Sequence, residues 1–352
     1  MWPWILILMV SAIAQVCKSC YVTFGRGRKF SISILLVFAL LFLFRAFRKD
    51  YVGGDLETYK SLFYFIGTKK WNEGIYHSGY EIGFLIYLKL IHSIIPNFNV
   101  VLVTTAIIYT YALVYFIYSF SPDPEFSIYI YIALYFFGSS FNNERQAISI
   151  AFLLISVKYI KYRKVIQFTI LVMLACLFHM TSIVFFPVYF LYNIKMTQKV
   201  WIISGFVAIM VCALAPVILN FIITHVYTKY IGVDLKGGGG YMYFMLLALT
   251  LGAGVLLLSK DELINKPDVN LWVKMMLIAA TMQIFSFTMG YFFRLVILYS
   301  VAIIVFIPIV INKLRGSSKV IARIVICLML FGYYLFELTH DTLSLVPYAW
   351  RL

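Results

Sequence analysis

The sequence predicts an all-α, polytopic membrane protein of about 12 spanning segments. Two observations carry that prediction. The 352-residue chain is 63% hydrophobic and 12% charged, with a mean hydropathy of +0.94, which is more apolar surface than one water-soluble core buries. Its few charges also stand at the ends of apolar runs. Arg45, Asp55, Arg145, His179, Arg294 and Asp341 all fall on one side of the membrane once a topology is assigned. Ionisable groups at membrane depth are costly and are kept where they handle ions, substrates or protons. A polar site facing one compartment is therefore expected, in a membrane-embedded enzyme or carrier.

Spans are expected at about 1–17, 30–47, 99–120, 126–141, 146–160, 165–178, 180–192, 200–221, 241–259, 271–290, 292–311 and 319–339, all within one integral membrane domain, residues 1–352. The first run has no basic leader and no small-residue cleavage site before Lys18, so it reads as a retained span. Several runs are shorter than the ~20 residues that cross hydrocarbon. The stretch 165–192 fits either one tilted helix or two short ones. Cys176, Cys212 and Cys327 lie inside apolar runs as small hydrophobes. Cys17 and Cys20 have no partner pair, which argues against a metal or redox role.

Lys and Arg set the orientation. The loops 18–29, 158–164 and 312–319, together with Lys195 and Lys199, are basic and become cytoplasmic together if the N-terminus starts outside and residues 80–96 do not cross. That segment carries Glu81, Lys89 and His92 on an otherwise apolar helix, as an interfacial helix does. The outer face then receives the long loop 48–98, the turn Asn142–Gln146, the loop 222–240 and the tail from His340. The net charge of +15 sits mostly in the inner loops, so nucleic acid is not an expected partner. The basic residues of the outer loop 48–98 run against the rule and suggest an anionic ligand. The run Gly237–Gly240 reads as a lid hinge or as a plain connector.

Three outer motifs carry chemistry. In Arg45-Ala-Phe-Arg48-Lys49-Asp50-Tyr51-Val52-Gly53-Gly54-Asp55, followed by Tyr59, a glycine turn presents Asp55 near a basic cluster. Its arginines suit phosphate through their bidentate forks, or they snorkel to lipid headgroups. In Asn142-Asn143-Glu144-Arg145-Gln146-Ala147-Ile148-Ser149, an Asn caps a helix that starts near Arg145. A cation there opposes the helix dipole and fits an anion site better than a stability role; an ion pair with Glu144 is the alternative. In the third motif His179 stands at the outer end of an apolar helix with Ser182 on its face, either as a working group or as a packed histidine. Tyr291, Arg294, and Pro347-Tyr348 after His340-Asp341 add weaker signals.

Taken in order, these blocks resemble the EpsG-like family of bacterial polysaccharide polymerases, which belong with Wzy-type O-antigen polymerases. The matching stretches are Arg45 to Tyr59, Gly79-Tyr80-Glu81-Ile82-Gly83-Phe84, Arg145 to Ala151, Ala175 to His179 with Ser182 and Pro187, and a late Arg with a terminal Pro-Tyr. Gly53-Gly54-Asp55 stands where the family usually has Gly-Thr-Asp. The resemblance implies a C-type glycosyltransferase fold in the bacterial inner membrane with its site facing the periplasm. It implies undecaprenyl-diphosphate-linked oligosaccharide as substrate, with a flippase and a chain-length regulator as pathway partners. It places His179, Asp55 and Arg145 in catalysis, and Arg45, Arg48, Tyr59, Glu81, Gln146, Arg294, Tyr291 and Tyr348 around the diphosphate and glycan. His179 or Asp55 serves as base, and no metal or cofactor is expected. A flippase or transporter, an O-antigen ligase and a capsule polymerase are the competing expectations.

Overall fold

The computed structural model describes residues 1–17, 21–24, 28–71, 79–221, 224–225, 240–287 and 289–351. Lys18, Cys20 and Arg26, and Gly237 to Gly239 of the glycine run, lie outside the described residues. Along the chain come α1 (Trp2–Ala14), β1 (Tyr21–Phe24), β2 (Arg28–Ser31), α2 (Ile32–Ala46), α3 (Leu56–Gly67), α4 (Ile82–Ile94) and α5 (Phe98–Phe120). Next are α6 (Pro124–Ala133), α7 (Phe136–Asn142), α8 (Glu144–Lys161), α9 (Val165–Phe178), a 3-10 turn (Met180–Phe185) and α10 (Val188–Leu191). Then follow α11 (Gln198–Phe221), α12 (Tyr241–Leu257), α13 (Lys260–Asn265), α14 (Pro267–Ser286), α15 (Phe293–Ser300), α16 (Ile303–Ile311) and α17 (Gly316–His340).

Among the described residues the regular structure is helical, apart from the antiparallel ribbon of β1 and β2, in which Tyr21 faces Ser31. The all-α expectation holds; in the ribbon, Tyr21-Val22-Thr23-Phe24 is a β-branched and aromatic run that suits a strand. Four helices are long and apolar enough to cross a membrane among the described residues, or five if the pair bent by 50° around Val301 counts as one span. The expected count of about 12 is not reached by length, because many apolar runs fold as short or broken helices. The run 126–141 breaks at Tyr135, whose φ of 64° is left-handed. The run 180–192 is a 3-10 turn followed by one short helix. The segment 48–98, expected as an outer loop, holds a helix that the sequence reading missed, α3, beside the expected α4. Lys89 of α4 turns inward and caps α3 by donating to the carbonyls of Ile66 (3.0 Å) and Gly67 (3.2 Å).

Contacts divide the chain into two compact units: Met1–Tyr159, Lys164–Ile183 and Val320–Leu352 form the first, and Ile160–Arg163 and Val184–Lys319 the second. In the first, α1 and α17 run antiparallel. At one end Tyr334 donates to the Trp4 carbonyl (3.0 Å) and the Trp4 indole to the Leu345 carbonyl (3.1 Å). At the other end Arg323 pairs with Asp123 (2.6 Å) and donates to Gln15 (3.0 Å). Asp123 also caps α6, accepting from the Phe126 N–H (3.2 Å).

The Trp4 end is held by a buried ion cluster. Ser140 and Phe141 are close to the last residues of α7, so their carbonyls lack onward helix partners. Arg45, in the last turn of α2, donates to the Ser140 carbonyl, to its hydroxyl (2.8 Å) and to Glu144 Oε2 (2.9 Å). Arg48 donates to the Phe141 carbonyl (3.2 Å) and to Glu144 Oε1. All three charged side chains are buried, at 1% exposure or less. Ring faces complete the enclosure, with Phe141 4.4 Å from the Arg48 guanidinium and Tyr109 5.1 Å from that of Arg45. Gly53 (φ +107°) passes directly over Phe141, where an added Cβ would lie 2.6 Å from the carbonyl oxygen; no other residue fits that turn.

In the second unit the basic loops gather at one end. Lys161 pairs with Asp268 (2.5 Å), which also accepts from Tyr192 (2.7 Å). Lys313 and Lys266 both reach Glu262, the residue that closes the capping box of α13. The Met196 N–H donates to the Leu263 carbonyl (3.2 Å). Loops that the charge pattern puts on one side of a membrane therefore share one end of this unit.

Two outcomes follow. Removing one partner of a buried pair leaves uncompensated charge, at a cost of roughly 3–5 kcal/mol. Glu144→Gln should therefore lower the apparent Tm in detergent sharply or abolish accumulation in the membrane; an unshifted Tm would show that the cluster is not structural. In a background without native cysteines, Cys placed at Thr342 should react with an impermeant reagent from the periplasm, and Cys at Ser317 only from the cytoplasm. Periplasmic reaction at position 317 would reverse the orientation.

Candidate functional site

Beside the buried cluster, the first unit assembles a second polar group that is partly open to solvent. It begins at Asn143, whose side-chain Oδ1 caps α8 by accepting from the Gln146 N–H (3.2 Å), as the expected Asn cap does. The same oxygen accepts from the Tyr59 hydroxyl (3.0 Å), which ties α3 to the start of α8. Glu144 and Arg145 are adjacent and point to different partners. Glu144 goes inward to Arg45 and Arg48. The guanidinium of Arg145 goes to the Tyr59 hydroxyl (Nε, 3.3 Å) and forms an ion pair with Glu81. The alternative pairing of Glu144 with Arg145 is thus not formed.

Glu81 is the hinge of this group. It stands at the N-cap of α4, yet its carboxylate makes no bond to its own helix. One oxygen takes Arg145; the other accepts from the Met180 N–H (3.2 Å) and lies 3.6 Å from Nδ1 of His179. The approach is possible because Gly83 packs against the end of α9, where a Cβ would lie 2.7 Å from Leu177. Burial pushes the Glu81 carboxyl up, but the His179 ring, the Arg145 guanidinium and the Met180 N–H outweigh it and hold the group at about 2. It is a carboxylate at neutral pH.

His179 closes the group. α9 ends at Phe178 and the backbone leaves the helix at His179 (φ −153°). The His179 N–H still bonds the Ala175 carbonyl (2.9 Å), and the Ser182 N–H bonds the His179 carbonyl (3.0 Å). The ring is only 7% exposed, and among the described residues neither ring nitrogen has a partner within hydrogen-bond distance, Glu81 Oε1 being the near neighbour of Nδ1 at 3.6 Å. Buried polar atoms without partners are rare in folded proteins. Ser182, one turn on, pairs its hydroxyl with that of Ser149. The motif around Arg145 and the motif around His179 are thereby joined.

Most of the sequence-derived residues meet here: Arg145, His179, Glu81, Tyr59 and Gln146, with Asp55 at the edge. The Asp55 N–H donates to Asn142 Oδ1 (3.3 Å), and its carboxylate does not cap α3. Three expectations are corrected. Arg45 and Arg48 do not present their forks to a ligand, because both are buried against Glu144 and the end of α7. Tyr348 is packing: it stacks on Phe44 (4.8 Å) and donates to the Phe44 carbonyl (2.9 Å). Asp341, grouped with the site charges by its position, instead caps the tail by accepting from the N–H groups of Leu345 (2.7 Å) and Val346 (3.0 Å). Arg294 and Tyr291 belong to the second unit, where the guanidinium lies 5.3 Å from the Tyr291 ring.

One contributor was not singled out: Tyr80 places its ring 4.8 Å from the Arg145 guanidinium. Asn143, expected only as a cap, serves two donors with one oxygen. Tyr80 stood inside a quoted motif, and only the spatial pairing reveals its part. Together the group offers a cation paired with a partly exposed carboxylate, an aromatic wall, and an imidazole with no hydrogen-bond partner at either nitrogen among the described residues. It can bind an anion and receive a proton from a hydroxyl.

The EpsG family model matches residues 31–350 of this chain. No curated protein and no solved structure matches it. With nearly its whole length matched, the chain belongs to the EpsG family, whose members are related to Wzy-type polysaccharide polymerases.

Proposed function

We propose that this chain is a membrane-embedded glycosyltransferase that polymerises O-antigen or a related surface polysaccharide. It moves the growing glycan from undecaprenyl diphosphate onto the next lipid-linked repeat unit at the periplasmic face of the inner membrane. Family membership supports a polymerase-like role. The observation that carries the chemistry is Arg145 and the buried His179 ring held on the two sides of one carboxylate, Glu81. A transporter site is expected near mid-membrane; this group stands at the helix ends of its unit.

Transfer breaks the bond from the anomeric carbon to the diphosphate oxygen, and the electron pair stays on that oxygen. Arg145 meets the growing charge with its planar fork. A new bond forms from the anomeric carbon to the acceptor hydroxyl oxygen, whose proton passes to His179. Proton removal of this kind contributes about 10²–10⁴-fold. Tyr80, half-buried beside Arg145, offers a ring face to the sugars beside the scissile bond, while the buried Tyr59 holds Arg145 in place. A flippase and a chain-length regulator of the same pathway are the natural partners.

The test is the length profile of lipid-linked glycan in cells. Arg145→Lys keeps the charge and loses the fork, so chain length should collapse at unchanged protein level. His179→Ala should leave single repeat units on the carrier, and His179→Gln should do the same if proton transfer, not hydrogen bonding, is what the ring supplies. Normal polymerisation by Arg145→Lys or His179→Ala contradicts the assignment; loss of the His179→Ala protein from the membrane would mark the ring as packing.

A further inference from the structure

The role of Glu81 goes beyond the binding of substrate that the sequence pattern suggests. A carboxylate is a poor ligand for a diphosphate, and this one occupies the cation that the diphosphate needs. It also forgoes the backbone donors of its own helix, where a carboxylate at an N-cap is ordinarily held. Its Oε1 stands 3.6 Å from His179 Nδ1, a few tenths of an ångström beyond hydrogen-bond reach. Among the described residues no group lies within hydrogen-bond distance of either nitrogen of that buried ring.

We propose that Glu81 is an exchangeable counter-ion that couples donor binding to the readiness of the base. With the site empty of donor, Glu81 closes Arg145. When the donor's diphosphate takes the guanidinium, the carboxylate is released and closes the short gap to His179 Nδ1. An imidazole that donates Nδ1–H to Glu81 has Nε2 as its acceptor, oriented to take the acceptor hydroxyl's proton. As that proton arrives at Nε2, Glu81 stabilises the imidazolium; the proton leaves to solvent after the glycan has moved and the diphosphate carries away the electron pair of the broken bond. Glu81 is thus a positioning residue: it acts through Arg145 and His179 and touches neither sugar. The packing of Gly83 on Leu177 keeps the carboxylate within reach of both. The coupling keeps the base poorly organised until a donor is bound. This inference rests on the polymerase reading for its substrate, while its electrostatic half is measurable without turnover.

The experiment uses the full chain in lipid nanodiscs with geranylgeranyl diphosphate as probe, beside glycan profiles from cells. The wild type should bind the probe and Arg145→Ala should lose it. Glu81→Gln removes the competing charge and should bind roughly fivefold more tightly, the scale of one partly exposed ion pair. In cells the same variant should polymerise about a hundredfold more slowly. Weaker binding by Glu81→Gln overturns the proposal, because it makes Glu81 part of the anion site. Tighter binding with normal polymerisation overturns the link to His179. Should Glu81→Gln fail to accumulate, Glu81→Asp decides: its shorter arm should lower kcat about tenfold with KM within twofold, whereas a merely structural role moves both or neither. A wild type that does not bind the probe refutes the diphosphate reading itself, a failure distinct from these.

Discussion

One buried carboxylate governs this end of the protein. Glu144 neutralises Arg45 and Arg48 at once, and these three side chains are almost wholly removed from solvent. Two guanidiniums in an apolar interior are tolerable only with such a partner and with carbonyls to take their remaining donors. The ends of α2 and α7 and the start of α8 are therefore fixed to one another by charge. Because Glu144 is held inward, its neighbour Arg145 is presented from the first turn of α8 toward the outer edge of the unit. The position of the candidate site is a consequence of that anchoring, with Gly53 and the aromatic contacts of Trp4, Phe44, Phe141 and Tyr348 closing the other side.

The two carboxylates divide the work by environment. Glu144 is sealed and serves two fixed cations. Glu81 is about one-fifth exposed, serves one cation, and has a histidine just out of reach. A sealed pair holds a fold in one state, whereas a partly solvated pair can exchange partners at modest cost. Arg145 is disfavoured by the dipole at the start of its helix, and the Asn143 cap and its own ion pair offset that in the absence of substrate.

Much of this was legible in the sequence because it is local. The helix near Arg145 capped by an Asn, the end of an apolar helix at His179, and the Gly-rich turn before Asp55 each follow from a few consecutive residues. What was not legible depends on pairing across distance. Arg45 and Arg48 are separated from Glu144 by about a hundred positions, and by themselves they look like a phosphate clamp. Tyr348 looks like a sugar platform until Phe44 is seen beneath it. α3 was missed because its 12 residues mix Glu57 and Lys60 with apolar positions, which resembles loop as much as helix. The break at Tyr135 has no glycine or proline to announce it.

The account stands most directly on what the isolated protein does with defined lipid-linked glycans. A purified, reconstituted sample should be given a radiolabelled lipid-linked oligomer as donor and unlabelled single repeats as acceptor. The account predicts that label moves into chains one repeat longer, with one polyprenyl diphosphate released per repeat added, and that Arg145→Lys does neither. Movement of label across the bilayer with no lengthening and no diphosphate released would contradict it.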